Sequence, residues 1–327
     1  MAAYTTIDDP GLYFNSVLYT GNGTDDTGIT GVGFQPDLVW NKGRDETWQN
    51  ILTDSVRGAT KNLYSDASSA EVTDATRLQS FDSNGFTIGT NNQINENTDT
   101  YVAWNWKESA TAGLDIVSWT GDATARTISH NLSAVPKMMI CKNRDAAQHW
   151  GVYHATNGNT KYMRLNSNIA ATDANDLWNN TTPTSSVFSI ANQDMVNANT
   201  NEIIGYIFAE KQGFSKFGSF IGNANVDGPF CYTGFKPALV ITKRTDSADS
   251  WIMGTNKILG YNSETNFILV DDTTGTESTT NWIDFYSNGF KIIRTDASVN
   301  ASGGEYSYIA FAEQPFVNSN GVPCNAR

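Results

Sequence analysis

Residues 34–48 read FQPDLVWNKGRDETW, and two later stretches resemble them: VPKMMICKNRDAAQHW at 135–150 and FKPALVITKRTDSADSW at 235–251. In each stretch a proline precedes an apolar run, and a lysine, an arginine, an aspartate and a tryptophan follow in that order. An internal repeat at intervals of about 100 residues predicts three related structural units. The shared positions are Pro36, Lys42, Arg44, Asp45 and Trp48, then Pro136, Lys142, Arg144, Asp145 and Trp150, then Pro237, Lys243, Arg244 (one position early), Asp246 and Trp251.

Strand signals surround this stretch in every copy. The proline-led runs are apolar at consecutive positions, which is typical of a strand covered on both faces. The last segments, at 101–108, 203–210 and 306–313, alternate large apolar residues with smaller ones, which predicts a closing strand with one face in a core. The Asn-Gly pairs in FDSNGF at 81–86 and FYSNGF at 285–290 predict hairpins, and copy 2 lacks this pair.

The composition agrees with an all-β fold. Aromatic residues make up 12% of the chain and charged residues only 17%, while Asn, Thr and Gly, which are poor helix formers, are abundant. We therefore predict three tandem antiparallel β-sandwiches of about 100 residues each, in the size range of single domains. Short helices are expected only around 58–80 and 158–182. The predicted boundaries are an N-terminal arm at 1–13, copy 1 at 14–112, copy 2 at 113–213, copy 3 at 214–313 and a C-terminal tail at 314–327.

Charge and cysteine content exclude several classes of protein. The formal net charge is −13, so binding to nucleic acid or to an anionic membrane surface is disfavoured. We expect no secretory signal and no membrane-spanning segment, because no apolar run approaches the required length. Cys141, Cys231 and Cys324 show neither disulfide nor metal-ligand spacing, which suits folding in a reducing cytosol, and no cofactor is predicted.

The candidate chemical groups favour a structural interpretation. His130, His149 and His154 match no metal or catalytic motif. The repeated Lys-x-Arg-Asp group is either a cationic ligand site or the end of a buried strand whose charged heads pair with acids such as the glutamate that ends each copy. The second interpretation is favoured, because three copies rarely keep three active sites. The terminal glutamates are Glu108, Glu210 and Glu313.

The tryptophans divide into shared and unshared positions. Trp48, Trp150 and Trp251 occur in all copies and are predicted to be core residues. Trp40 aligns with isoleucines, and Trp178 lies in the polar stretch DLWNNTTPT. These two are the better candidates for an exposed aromatic ring that stacks on a sugar or a partner, although ordinary packing is the competing explanation.

Several motifs together resemble a widespread family of tailed-bacteriophage proteins, common in marine phages and often described as tail-fibre or virion structural proteins with lectin-like (concanavalin-like, jelly-roll-like) β-sandwich repeats. The resemblance covers essentially the whole chain. Its motifs are YTTIDDP at 4–10, GFQPDLVW at 33–40, DSVRG at 54–58, PKMMICKNRD at 136–145, FSKFGSFIGNANVDGPFCYTGFKPALVITKRTDS at 214–247 and YIAFAEQPF at 308–316.

The resemblance implies a non-enzymatic virion component assembled in the host cytoplasm and displayed on the particle surface. The expected partners are other virion proteins of the tail, neck or capsid, and a host surface glycan as receptor. Three alternatives stay open: a tail-fibre or appendage protein, a capsid decoration protein that uses its copies as a pseudo-trimer, and, least favoured, a polysaccharide depolymerase. A homotrimer is compatible with the first.

Overall fold

The structure is a computed structural model that describes residues 4–173, 176–258, 262, 264–273 and 275–323. Nearly all of its regular structure is antiparallel β-strand, so the prediction of an all-β fold is confirmed. A 3-10 turn at Pro10–Leu12 precedes the first strand. The strands of copy 1 are β1 Phe14–Thr20, β2 Thr27–Thr30, β3 Leu38–Gly43, β4 Ile51–Asp54, β5 Lys61–Tyr64, β6 Val72–Thr73, β7 Leu78–Asp82, β8 Gly85–Ile88 and β9 Thr100–Trp106, with helix α1 at Asn92–Asn95.

Copies 2 and 3 repeat this order of elements with small differences. Copy 2 contains β10 Leu114–Thr120, β11 Arg126–Ser129, β12 Pro136–Asn143, β13 Gly151–His154, β14 Lys161–Arg164, β15 Thr172–Asp173, β16 Val187–Ile190, α2 Asp194–Asn197 and β17 Glu202–Ala209. Copy 3 contains β18 Ser215–Ile221, β19 Phe230–Tyr232, β20 Phe235–Arg244, β21 Ile252–Thr255, β22 Glu264–Leu269, β23 Ser278–Tyr286, β24 Gly289–Ile292, α3 Ala297–Asn300 and β25 Glu305–Pro315.

Corresponding strands occupy corresponding places in three large sheets. The order is β1-β9-β3-β4-β5-β6 in copy 1 and β10-β17-β12-β13-β14-β15 in copy 2. The copy 3 sheet begins β18-β25-β20-β21-β22 and continues through β23-β24-β19, which makes it eight-stranded. The smaller sheets β2-β8-β7 and β11-β16 are separate in copies 1 and 2. The predicted domain boundaries stay a prediction, although Gly113 and Gly213 both lie in turns between these sheets with positive φ.

The largest hydrophobic core lies between the three large sheets. It contains Trp104 from copy 1, Tyr206 from copy 2 and Phe311 from copy 3, all buried. Each copy also has an outer core of its own, which it builds with its small sheet or, in copy 3, with β19, β23 and β24. The chain is therefore organised around a shared centre, where apolar faces from distant parts of the sequence are removed from water together.

The closing strands are covered on both faces. Val102, Trp104 and Trp106 of β9 face the centre, as their alternation suggested, but the small residues between them are covered too. Ala103 belongs to the outer core of copy 1, and a Cβ on Gly205 would lie 3.0 Å from the Trp119 ring. The small residues leave room on this side of the strand, and the outer core of each copy packs there.

The helices do not lie where they were expected. Within the described residues, 58–80 and 158–182 contain strands and turns, so the prediction of short helices there was wrong. One four-residue helix precedes each closing strand instead, and in copies 1 and 3 an Asn or Asp side chain accepts from the backbone two residues ahead: Asn91 from Gln93 N and Asp296 from Ser298 N. The Asn-Gly hairpins β7–β8 and β23–β24 are confirmed.

The terminal segments pack against the body. Ile7 of the arm is buried in the shared core, and Thr5 Oγ1 donates to Gln212 O at 2.8 Å. The backbone N–H of Ser319 donates to Asp8 Oδ1 at 2.6 Å, which ties the arm to the tail. Residues 1–3 and 324–327, including Cys324, lie outside the described residues.

Candidate functional site

The repeated lysines are buried at junctions between copies. Lys142 Nζ donates to Ser68 O of copy 1 at 3.2 Å, and Lys243 Nζ donates to Asn168 O of copy 2 at 3.2 Å. Lys42 Nζ donates to Trp48 O within its own copy. Burial, which disfavours the charged ammonium, lowers the pKa of each lysine to about 8. These lysines donate to backbone carbonyls and are buried, so they are not accessible to an external ligand.

The repeated arginines make a second tie between copies. Arg144 Nε donates to Glu71 Oε2 at 2.9 Å, while Glu71 N donates back to Arg144 O at 2.7 Å. Arg44 makes the equivalent pair with Glu277, and Glu277 N donates to Arg44 O at 2.9 Å. Copy 1 thus contacts copy 2, and copy 3 contacts copy 1.

Copy 3 makes the same backbone contact, but the residue at this position is not an arginine. Its residue at the arginine position is Thr245, whose carbonyl accepts from Ala171 N of copy 2 at 2.9 Å. Arg244, one position earlier, instead pairs with Asp246 and Asp249 of its own copy at 2.8 and 3.2 Å. The backbone contact therefore recurs from copy to copy in cyclic order and closes into a ring.

The repeated aspartates and the terminal glutamates accept hydrogen bonds from backbone N–H groups and from lysines outside the repeated group. Asp45 accepts from Thr100 N at 2.9 Å and Asp145 from Glu202 N at 2.7 Å, at the first residue of each closing strand. The glutamates do not pair with the Lys-x-Arg group, so that prediction was wrong. Glu108 accepts from Ile116 N at 3.0 Å, Glu210 from Lys216 Nζ at 2.8 Å and Glu313 from Lys236 Nζ at 2.8 Å.

The shared tryptophans are not all equivalent. Trp150 and Trp251 directly precede β13 and β21, and their indole N–H groups donate to carbonyls of the preceding copy, at Tyr64 and Arg164. Asn50 holds this position before β4, and its amide donates to Leu269 O at 3.2 Å. Trp48 is only partly buried. Its sequence alignment with Trp150 and Trp251 was therefore wrong by two residues.

Neither tryptophan proposed as an exposed ring is exposed. Trp40 is 3% exposed, and its indole N–H donates to Asn50 Oδ1 at 3.1 Å. Trp178 is 1% exposed and meets the Tyr153 ring edge-on at 6.0 Å. Although polar residues flank Trp178 in the sequence, its side chain belongs to the outer core of copy 2. Both candidates were wrong as stacking platforms.

The histidines each have separate partners. His130 Nε2 lies 3.1 Å from Thr184 O, and His149 Nδ1 lies 3.3 Å from Asn166 Oδ1. His154 is buried, with Nδ1 2.7 Å from Thr156 Oγ1 and Nε2 3.2 Å from Tyr308 O. Among the residues that the structure describes, no group of three or more His, Cys, Asp or Glu side chains is placed to hold a metal ion.

The buried imidazole predicts a pH effect on stability. Burial lowers the pKa of His154 from 6.5 to about 4. The unfolded chain then binds more protons between those values, so the contribution of His154 to stability is lost as the pH falls through this window. We expect His154→Gln to reduce the loss of unfolding free energy between pH 7 and pH 5 by about 2 kcal/mol, measured by urea unfolding at both pH values. Equal pH dependence in both proteins would contradict the assignment.

Within the described residues, the most exposed group of aromatic side chains lies on the outer side of copy 3. We call Phe230 and Tyr232 of β19 together with Tyr286 of β23 the aromatic face. Their exposed fractions are 48%, 53% and 39%. The Phe230 and Tyr286 rings meet edge-on at 5.8 Å, and a Cβ on Gly289 would lie 2.9 Å from the Phe230 ring. Exposed adjacent aromatic rings are typical of a contact surface rather than of a solvated strand.

Comparison of the copies shows that the aromatic face is specific to copy 3. Cys231 pairs with Phe290, as Ile29 pairs with Phe86 and Ile128 with Phe188. By this register, the places of Phe230 and Tyr232 are held by Gly28 and Thr30 in copy 1 and by Thr127 and Ser129 in copy 2. Our sequence interpretation missed this face because it compared only tryptophans. The contrast between FCY and the small polar residues of the other copies was the available signal.

Charged side chains adjoin the aromatic face. Lys291 lies opposite Phe230 in the strand pair and forms an ion pair with Asp227. Asp284 lies opposite Lys291 on the other side, and burial raises the pKa of its carboxyl. Apolar rings with polar neighbours resemble the layout of an interface, in which aromatic anchors are surrounded by a polar rim.

A family model described as a domain of unknown function (DUF7483) matches residues 9–315 of the chain. The chain matches no curated protein. In the described part of the chain, none of the helices has the length and hydrophobicity needed to cross a bilayer.

Proposed function

The chain belongs to the DUF7483 family of domains of unknown function, and from its structure and motifs we propose that it is a non-catalytic structural component of a tailed-phage virion. In this role it is a tail-fibre or appendage protein on the particle surface, assembled in the host cytoplasm. Its partners are other virion proteins and a host surface glycan. The proposal starts from the resemblance of its sequence motifs to phage virion proteins.

The use of the repeated polar groups supports a structural role. In copies 1 and 2 the lysine of the repeated group donates to backbone carbonyls and the arginine pairs with a glutamate. The aspartate accepts from the backbone N–H at the start of the closing strand. A catalytic group has to meet a substrate, whereas these side chains already have partners inside the protein. The result is a body whose three large sheets are tied to one another by polar contacts and by one apolar centre.

The aromatic face is the observation that carries the attachment role. It lies on one copy only, so it is not a requirement of the repeated scaffold. Aromatic rings supply large contact areas at a low cost in conformational entropy, and such residues dominate the binding energy of many interfaces. We therefore assign the contact with the host surface or with a neighbouring virion protein to this face.

The ring of contacts between copies favours a second candidate, a capsid decoration protein. The backbone pairs at Glu71, Ala171 and Glu277 recur in cyclic order, so one chain offers an approximate three-fold arrangement. Such a chain matches a local three-fold position on a capsid without forming a trimer. Antibody labelling of intact virions separates the candidates: tail labelling supports the appendage role, and head labelling supports decoration.

The attachment role predicts the effect of a double substitution. Phe230→Thr with Tyr232→Ser introduces polar residues at positions where copy 2 carries Thr127 and Ser129, so the fold is expected to persist. We expect retention of the labelled protein on host cells or immobilised host glycan to fall at least about tenfold, because aromatic anchors dominate such contacts. The measurement is a pull-down with purified protein at equal concentrations.

A matched control replaces two exposed apolar residues of copy 1, Val56→Thr with Val72→Thr, and is expected to keep full retention. Equal retention of the wild type and the aromatic variant would refute the role of this face. Absence of retention by the wild-type protein itself would refute host contact.

A further inference from the structure

A polar groove of ≈ 240 Å³ opens between copies 2 and 3. One wall is the β18–β25 strand pair of copy 3, and the other is the turn at Thr156 and Asn157, directly after β13 of copy 2. A cavity needs only about 10–15 Å³ of this kind of volume to hold one water molecule, so the groove is far larger than a single-water site. It therefore has room for one small polar molecule, whereas the apolar cavity in the shared centre measures only ≈ 20 Å³.

In this groove copy 3 departs from the repeated pattern at Ser307. Ser307 lies opposite Lys243 in the strand pair, as Val102 lies opposite Lys42 and Ile204 opposite Lys142. Val102 and Ile204 are fully buried in the shared core. A serine at this position removes a branched apolar side chain and puts a hydroxyl in its place. Such an exchange costs packing, so it calls for an explanation beyond stability.

The groups around Ser307 form a set of hydrogen-bonding partners. Its hydroxyl lies 2.9 Å from Thr156 Oγ1 and donates to Asn157 Oδ1 at 3.3 Å. Ser219 lies opposite Ser307 on β18, and its side chain is exposed. Among the residues that the structure describes, neither the Ser219 hydroxyl nor the Glu305 carboxylate has a hydrogen-bond or ion-pair partner, so both are available to a ligand.

An apolar side chain completes the wall. Ile221 lies opposite Glu305 in the strand pair and is 57% exposed at the groove. Hydroxyls, an amide and a carboxylate beside an aliphatic side chain match a molecule that carries both hydroxyl groups and C–H surface. A free carboxylate and a net charge of −13 oppose an anionic ligand.

From this combination we infer that the groove binds a neutral sugar ring. Glu305, Ser219 and Asn157 accept or donate hydrogen bonds to its hydroxyl groups, and Ile221 covers its C–H surface. The inference deepens the proposed attachment role, on which it rests for its biological meaning, because it names the ligand class of a second contact with a host glycan.

Saturation-transfer NMR on the full chain tests the inference. The probes are glucose, galactose, N-acetylglucosamine and the anionic N-acetylneuraminic acid, each at millimolar concentration. We expect transfer to at least one of the three neutral sugars and none to N-acetylneuraminic acid. Ser307→Val, which copies the residue of copy 1, fills the groove and is expected to weaken binding at least about tenfold.

Two further variants change only exposed side chains, so that an effect on sugar binding is not attributed to a loss of folding. Glu305→Gln changes only an exposed side chain and is expected to weaken binding, while Ser129→Val, on exposed β11, is expected to leave it unchanged. Absence of transfer to all three neutral sugars, or equal transfer in the wild type and Ser307→Val, would overturn the inference. The aromatic-face variant is expected to keep the sugar signal, so failure of the groove and failure of the attachment role are measured separately.

Discussion

Asp54→Ala is expected to lower the free energy of unfolding by about 3–5 kcal/mol, because it removes one member of a buried charged cluster. Asp54 accepts hydrogen bonds from Arg57 Nε in copy 1 and from the Tyr206 hydroxyl of copy 2, the latter at 2.7 Å. The Arg57 and Asp54 side chains are 0% exposed. Without Asp54, the guanidinium keeps only the Glu71 carboxylate, at 3.1 Å, to offset its charge.

Equilibrium unfolding in urea measures this loss. The control is Asp122→Ala, whose ion pair with Arg126 at 3.2 Å has side chains that are 45% and 32% exposed. Exposed pairs contribute about 0–1 kcal/mol, so this control is expected to unfold close to the wild-type midpoint. Indistinguishable midpoints for the two variants would mean that the buried cluster does not stabilise the junction between copies 1 and 2.

Trp150→Ala is expected to cost about 3–5 kcal/mol, the range for truncating a buried aromatic side chain. The Trp150 side chain belongs to the shared core, stacks on the Tyr206 ring at 6.4 Å and donates to Tyr64 O of copy 1 at 2.8 Å. The substitution therefore opens a cavity and leaves that buried carbonyl without its donor. Thermal and urea unfolding measure the effect.

Trp48→Ala separates the structural alignment from the sequence alignment. If Trp48 were the counterpart of Trp150, the two substitutions would cost the same. The structure places Asn50 in that position and leaves Trp48 partly exposed, with its indole N–H donating to Asp99 Oδ2 at 3.3 Å. We expect Trp48→Ala to cost clearly less than Trp150→Ala. Equal losses would contradict the structural alignment.

The parts of the fold that were predicted correctly depend on local signals. The proline-led strands, the closing strands and the Asn-Gly hairpins are each encoded within about ten residues, and the structure contains them. Matching by residue type was less reliable: the loops before β4, β13 and β21 are equally long, so Asn50 and not Trp48 takes the place of Trp150 and Trp251. The short helices were misplaced because a single capping side chain and one turn produce no apolar periodicity.

In the candidate site, too, contacts between distant residues were not predicted from the sequence. The charged heads of the repeated groups were predicted to pair with the terminal glutamates, whereas Lys142 and Arg144 contact another copy and Glu210 pairs with Lys216. The aromatic face and the groove went unnoticed because each is a difference between copies, at Phe230 and Tyr232 and at Ser307, whereas unshared positions were considered only for tryptophans.

The order of residues along the chain was sufficient to predict strands, turns and an all-β fold, since these follow from side-chain alternation and turn chemistry over short distances. Only the folded molecule decided that three sheets share one apolar centre. Trp40 and Lys142 are buried in the folded molecule, whereas Phe230 is exposed on the outer side of copy 3. Such outcomes depend on which faces exclude water together, and that is a property of contacts between residues far apart in the chain.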